Sequence, residues 1–303
     1  MLNRLEFHAM GCEMLAVVEA ASQPTLLSKV PEWFEEWEQI LSRFRQDSEL
    51  TRFNQTYETP VQVSKTFWDV FNAAQKAEQM TDGLVTATLL DAIISAGYDR
   101  PFDLLSPQTL SVTAPHIKTT HTLAAIPTNE ITREITLPHG MSLDFGGVAK
   151  GWSAHQAMKR LQAEGPALVD AAGDIAISGP RMDGSPWTIG IANPLQTDEN
   201  IEVLSVYEGG VATSGKDRRR WIRNGVLQHH IIDPFTSQPA ETDLLTVTVI
   251  APNVMQAEAA AKVAFILGSL AGMTWLESQV TFAGLFILEN GQTLHSKRMK
   301  AYL

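Results

Sequence analysis

The sequence contains a single cysteine, Cys12, among 303 residues. One cysteine cannot form a disulfide within the chain, and the histidines do not combine with it at the spacing of a structural zinc site. A disulfide scaffold and a zinc-stabilised fold are therefore excluded. Cys12 is expected to pack as a small apolar side chain.

Positive charge is also scarce, since 23 Lys and Arg face 34 Asp and Glu and the formal net charge is −11. Such a surface repels the phosphates of nucleic acids and of anionic lipids. The composition thus argues against a nucleic-acid partner. The basic run at residues 216–220 is interpreted as a solvated hairpin edge, with docking of an acidic partner segment as the alternative.

Long apolar runs are missing as well. No stretch approaches the roughly 20 consecutive apolar residues of a membrane-crossing helix, and residues 1–8 carry charges where a secretory signal would be apolar. These features predict no membrane span and a cytoplasmic location. The hydrophobic content of 44% and the charged content of 19% are typical of a folded globular protein.

Segments with helical and strand periodicity are interleaved along the chain. Helical spacing predicts helices at 26–44 and at Lys65–Met80 with Ser64 as cap. The segment 142–151 leads into a further helix that ends near Gly165, and another is predicted at 253–267, closed by Gly268. Strands are predicted at 5–19 with a break at Gly11, and then at 131–137, 167–177, 187–192, 201–207 and 244–251. The segment 221–232 is predicted to fold into a hairpin at Asn224-Gly225, and a final hairpin is predicted to turn at Asn290-Gly291. A proline-containing loop is predicted up to about Pro127. This order predicts an α+β fold, and because no low-complexity linker interrupts it, a single domain over 1–303.

Residues 142–151 have the pattern of an anion site. A strand ends in Asp144, the pair Gly146-Gly147 lets the backbone approach a ligand, and Lys150 stands at the start of a helix. Free N–H groups at a helix N-terminus and a lysine ammonium both attract phosphate. The segment lacks the spacing of a Walker loop.

Three further segments carry polar residues in suggestive places. Asp174 is expected to bond its own backbone in a β-turn. His229 and His230 are adjacent in a strand and so point to opposite faces; at most one can line a given pocket, where acid–base work is favoured over zinc binding. Glu258 and Lys262 are four residues apart, which predicts an ion pair on one helix face.

Taken together and in order, several segments resemble the FAD:protein FMN transferase family, also called the ApbE family. The resemblance covers nearly the whole chain and comprises His8-Ala9-Met10-Gly11, residues 42–54, Thr81-Asp82-Gly83, residues 143–151, Gly173-Asp174-Ile175, Ala212-Thr213-Ser214-Gly215, His230-Ile231-Ile232-Asp233-Pro234 and the helix at Glu258.

The resemblance implies an ApbE-like fold of β-sheets with packed helices, in which two intertwined subdomains form one compact unit. It implies an enzyme that splits FAD with the help of Mg²⁺, attaches FMN to a Thr or Ser of an acceptor flavoprotein and releases AMP. His230 would be the catalytic residue that assists removal of the acceptor proton. The residues implied to bind FAD are Met10, Leu84, Val85, Thr86, Asp144, Lys150 and Ile231. The metal positions would be the Gly147 carbonyl, Glu258 and Lys262.

The chain departs from the family pattern at chemically important positions. The family's metal helix carries an Asp followed four residues later by Thr or Asp, whereas this chain has Glu258 and Lys262. An ammonium group cannot ligate a cation. We therefore hypothesise that Lys262 makes this site bind metal poorly. The segment 85–88 and the pair Thr236-Ser237 also differ from the family. The alternatives are therefore an FAD-binding protein that has lost transfer, and an FAD pyrophosphatase.

Overall fold

The computed structural model describes residues 1–105, 108–109 and 122–303. The strands are β1 (Leu2–Ala9), β2 (Cys12–Glu19), β3 (Pro60–Gln62), β4 (Gln108–Thr109), β5 (Thr128–Asn129), β6 (Glu134–Thr136), β7 (Ala167–Ala171), β8 (Asp174–Ile177), β9 (Trp187–Asn193), β10 (Gln196–Val206), β11 (Gly209–Gly215), β12 (Arg220–Arg223), β13 (Val226–His229), β14 (Ile232–Asp233), β15 (Gln238–Pro239), β16 (Leu244–Ala251), β17 (Ala283–Leu288) and β18 (Thr293–His295). The helices are α1 (Val30–Leu41), α2 (Glu49–Phe53), α3 (Lys65–Met80), α4 (Leu90–Ser95), α5 (Ala149–Leu161) and α6 (Val254–Ser278).

The chain divides into two units. The first unit comprises Met1–Phe34, Lys150–Asp217 and Glu241–Leu303. The second unit comprises Glu35–Ala149 and Arg218–Ala240.

An eight-stranded sheet with the order β1-β2-β7-β8-β11-β16-β17-β18 forms the framework of the first unit. Every neighbouring pair is antiparallel. All eight residues of β16 are buried, which explains why its sequence is a nearly continuous apolar run. The β9–β10 hairpin contributes Trp187, Ile189 and Leu204 to a core that also contains Ile250 of β16.

Helix α6 packs on β11 and β16. A side chain at Gly210 of β11 would collide with the backbone of Val254, so this glycine permits the close approach of strand and helix. The helix is broken at Gly268 (φ 79°, ψ 177°), and the second segment begins with Asp243 accepting the Ser269 N–H at 2.9 Å. By length and apolar composition α6 could cross a membrane, but a buried core helix meets the same criterion, so this is weak evidence for a span.

The second unit is built from shorter elements. Its small sheets have the orders β3-β6-β5, β13-β12-β4 and β14-β15. Helix α3 begins at the cap Ser64, whose hydroxyl accepts the Phe67 N–H at 3.2 Å. Phe67 packs against Phe53 and Phe145, with ring centroids 5.0 and 5.1 Å apart.

The α+β prediction is confirmed, and the bounds predicted for α3 match. Two local predictions were wrong. The strand expected at 167–177 is two antiparallel strands, β7 and β8, joined by a turn at Ala172-Gly173, where both residues have positive φ. The helix predicted to close at Gly268 resumes after it, because Asp243 caps the second segment. The loop predicted up to Pro127 falls partly on residues 106–107 and 110–121, which lie outside the described residues.

Candidate functional site

Lys150 lies in the first turn of α5 and pairs with Asp174 at the start of β8. The Lys150 side chain is 20% exposed and that of Asp174 only 3%. A buried carboxylate needs a cationic partner, because burial without one is costly. The ion pair therefore fixes a lysine ammonium near the N-terminus of a helix, where anions bind.

The expectation that Asp174 bonds its own turn was wrong. The residue that holds the turn is Asp170, whose carboxylate accepts the Gly173 N–H at 2.6 Å. Asp174 is instead committed to Lys150. The turn brings β8 back beside β7, and this places the Asp174 carboxylate at the start of α5, next to Lys150.

A second ion pair lies on α6. Nζ of Lys262 donates to Oε1 of Glu258 at 3.0 Å, which confirms the pairing predicted from the spacing. The other oxygen, Oε2, accepts the Gly151 N–H at 3.2 Å. The Glu258 side chain is 1% exposed and that of Lys262 17%. Both oxygens of the buried carboxylate are thus engaged.

The two ion pairs act on each other. Burial raises the pKa of the Glu258 carboxyl, the charge of Asp174 acts in the same direction, and the ammonium groups of Lys262 and Lys150 oppose both. Two lysines therefore favour the ionised carboxylate in surroundings that would otherwise favour its neutral form. We call these four residues the charge cluster.

Gly151 lies directly against the Glu258 carboxylate of the charge cluster. A Cβ at this position would lie 2.5 Å from Oε2 of Glu258. We expect Gly151→Ala to lower the free energy of unfolding by about 1–3 kcal/mol, because the added methyl group overpacks a fully buried contact. Urea denaturation measures this loss.

The matched control is Gly179→Ala in the same unit, where an added Cβ meets no atom within 4 Å. This variant should stay within about 0.5 kcal/mol of the wild type. Equal losses in the two variants would contradict the steric explanation.

The charge cluster does not fit a divalent cation. Mg²⁺ requires several oxygen ligands at about 2.0–2.1 Å, whereas the two carboxylates here are paired with two ammonium groups. Within the described residues, no group of three or more His, Cys, Asp or Glu side chains could hold a metal ion. The role implied for the Gly147 carbonyl, in the turn before α5, stays a prediction.

In the second unit, Asp144 shapes the Gly-Gly turn. Its Oδ1 accepts the Gly146 N–H at 2.8 Å, and its Oδ2 lies 3.3 Å from Nε of Arg43. The guanidinium of Arg43 also lies over the rings of Phe44 and Tyr98, 4.0 and 4.6 Å from their centroids. Arg43 was not singled out from the sequence, where its position in the 42–54 segment was the only signal.

The segment implied to contact the flavin is anchored by a buried glutamate. The Thr86 hydroxyl donates to Oε2 of Glu78 at 2.5 Å. Oε1 of Glu78 accepts from the Thr122 hydroxyl and the Leu123 N–H at 2.7 and 2.9 Å. Leu84 is half-buried and Val85 is buried. The Thr86 hydroxyl thus positions its loop, a role for which the sequence held no signal.

The two adjacent histidines have different surroundings. His229 is buried; its Nε2 donates to the Ala240 carbonyl at 3.1 Å and its Nδ1 accepts the Ile231 N–H at 3.3 Å, the tautomer being inferred from these bonds. His230 follows the end of β13 and is half-buried. His229 is therefore the structural histidine, whereas His230 is only half-buried. Ile231 is buried beside it.

Met10 lies in the first unit, at the β1–β2 turn, with a positive φ of 51°. Strands β1 and β2 pair on either side of this turn, beginning with Ala9 opposite Cys12. The turn therefore holds Met10 in a fixed position, half-buried. Its contact with FAD stays a prediction.

The structure is that of an α+β protein in which Asp174 of the antiparallel sheet holds the Lys150 ammonium at the N-terminus of α5. The chain belongs to the ApbE family, whose model matches residues 10–286. The FAD:protein FMN transferase of Treponema pallidum is 31% identical over 265 residues, which cover 82% of this chain and 73% of the relative. That of Vibrio cholerae is 29% identical over 265 residues, covering 85% and 78%.

Solved structures show the same fold. The ApbE protein of Thermotoga maritima superimposes with a TM-score of 0.87 at 24% identity, covering 100% of this chain and 99% of the other. Flavin transferase ApbE from Vibrio cholerae gives 0.79 at 24% identity, with coverage of 100% and 99%. The ApbE-like fold implied by the sequence is confirmed.

Proposed function

We propose that this chain is an FAD:protein FMN transferase. It splits the pyrophosphate of FAD, attaches FMN to a Thr or Ser hydroxyl of an acceptor flavoprotein and releases AMP. The observation that carries the proposal is the ammonium of Lys150, held by the buried Asp174 at the N-terminus of α5, in a chain that belongs to the ApbE family over residues 10–286.

The reaction balances without a redox partner. The acceptor hydroxyl oxygen attacks the phosphorus of the FMN half, and the bond from that phosphorus to the bridging oxygen breaks. AMP leaves with the electron pair, and the hydroxyl proton passes to a base. Positive charge near the phosphates lowers the barrier, because negative charge shifts onto the leaving oxygen.

The individual roles proposed here are those that the resemblance to the ApbE family implies. Lys150 binds the phosphates of FAD, and His230, the more accessible of the two histidines, accepts the acceptor proton. Met10, Leu84, Val85, Thr86, Asp144 and Ile231 are proposed to line the FAD site. Asp144 acts through the Gly146 turn that its carboxylate holds. The cytoplasmic location stays a prediction.

The test is incubation of the chain with FAD and candidate acceptor flavoproteins, in EDTA and in Mg²⁺. We expect the acceptor to gain the mass of one FMN less one water, in a tryptic peptide containing a modified Thr or Ser, with one AMP released per acceptor. Free FMN and AMP without a modified acceptor would identify an FAD pyrophosphatase. FAD binding without any AMP would identify a binding protein that has lost transfer.

A further inference from the structure

The carboxylate of Glu258 already has a cation. The Lys262 ammonium lies 3.0 Å from Oε1, and the Gly151 N–H occupies Oε2. An ammonium has three N–H donors and no lone pair, so it can satisfy a carboxylate but cannot join it in binding a metal. A Mg²⁺ on Oε1 at its usual bond length would lie within about 5 Å of Nζ, where the two cations repel each other.

The formal charges of the charge cluster also balance. Two carboxylates, Asp174 and Glu258, face two ammonium groups, Lys150 and Lys262. A divalent cation would add two positive charges to a balanced and largely buried set, with no free carboxylate to receive it. The alanines beside Glu258 are buried and offer no side-chain oxygen, namely Ala257, Ala259, Ala260 and Ala261.

We propose that the Lys262 ammonium takes the place of the divalent cation at this site, so that the chain binds FAD without Mg²⁺. Lys262 supplies fixed positive charge from α6, beside that of Lys150 from α5. The statement about FAD rests on the proposed function, whereas the statement about the metal does not. Lys262 is thus the residue that determines metal dependence.

The main comparison is among the wild type, Lys262→Asp and Lys262→Met, and Glu258→Gln is added alone and in combination with Lys262→Asp. The aspartate removes the ammonium and adds oxygen ligands one turn from Glu258. The methionine removes the ammonium and adds none, so it is the matched control. For each, the melting temperature and the calorimetric affinity for Mg²⁺ are measured without FAD, and the FAD dissociation constant is measured in EDTA and in Mg²⁺.

In the wild type we expect Mg²⁺ to leave the melting temperature unchanged. The FAD dissociation constant should change by no more than about twofold. Lys262→Asp should melt lower in EDTA, regain stability in Mg²⁺, and bind Mg²⁺ at least about tenfold more tightly than the wild type. Lys262→Met should gain neither stability in Mg²⁺ nor affinity for Mg²⁺. Adding Glu258→Gln to Lys262→Asp should abolish the gain in Mg²⁺ affinity.

The proposal fails if Mg²⁺ lowers the wild-type FAD dissociation constant well beyond twofold, and two further results would also overturn it. One is wild-type Mg²⁺ binding as tight as that of Lys262→Asp and lost in Glu258→Gln. The other is a Lys262→Asp variant indifferent to Mg²⁺, which would show that the position beside Glu258 is not a cation position. If no protein binds FAD in either buffer, the proposed function fails, while the melting and calorimetric results still decide the metal.

Discussion

Lys150→Met is expected to lower the free energy of unfolding by about 3–5 kcal/mol. The loss follows because Asp174, with a side chain 3% exposed, would be left as a buried charge without its cationic partner. Urea denaturation monitored by tryptophan fluorescence measures it. The affinity for FAD should also fall about tenfold to a hundredfold, as expected when a charge-assisted bond to phosphate is removed.

A double variant separates these two effects. In Lys150→Met with Asp174→Asn neither charge remains, so most of the lost stability should return while the affinity for FAD stays low. Wild-type FAD affinity in the double variant would remove Lys150 from the phosphate site. Stability that stays as low as in the single variant would show that the ion pair is not what holds α5 to β8.

The role of Asp174 illustrates what local sequence cannot supply. The Ala-Gly-Asp-Ile segment is a turn by composition, and the turn is present, but the partner of Asp174 lies 24 residues away on another element. Only the return of β8 beside β7 brings them together. By contrast, α3 and the Glu258–Lys262 pair were predicted correctly, because a cap and an i,i+4 spacing act within one helix.

The same limit applies to the second unit. Arg43 pairs with Asp144, which is distant in the sequence. The Glu78 carboxylate accepts hydrogen bonds from Thr86, Thr122 and Leu123. From the sequence alone, Arg43 and Glu78 would be taken as ordinary charged residues on the surface of a helix or beside its end. Burial turns each of them into a positioning residue, and burial depends on the whole topology. The family resemblance indicated which residues would contact FAD, but it did not indicate that Arg43 and Glu78 position them.

His230→Asn is expected to slow FMN transfer by about 100-fold to 10,000-fold, the usual contribution of a general base. FAD binding should stay within about threefold of the wild type, because the proposed role is to accept a proton from the acceptor. The free energy of unfolding should change little, since the side chain is only half-buried. Single-turnover transfer to an acceptor over a range of pH measures the effect, and the limb of the profile that reports the base should disappear.

His229→Asn provides the neighbouring control. His229 is buried and its two ring nitrogens bond the Ala240 carbonyl and the Ile231 N–H. Replacing it should lower the melting temperature, because buried polar backbone groups lose their partners, while the shape of the pH profile is retained in the folded fraction. If His229→Asn instead removed the limb that reports the base and His230→Asn left that limb intact, the assignment of the base would pass to His229. Retention of the limb in both variants would mean that neither histidine accepts the proton, and transfer would need a base from another part of the chain or from the acceptor.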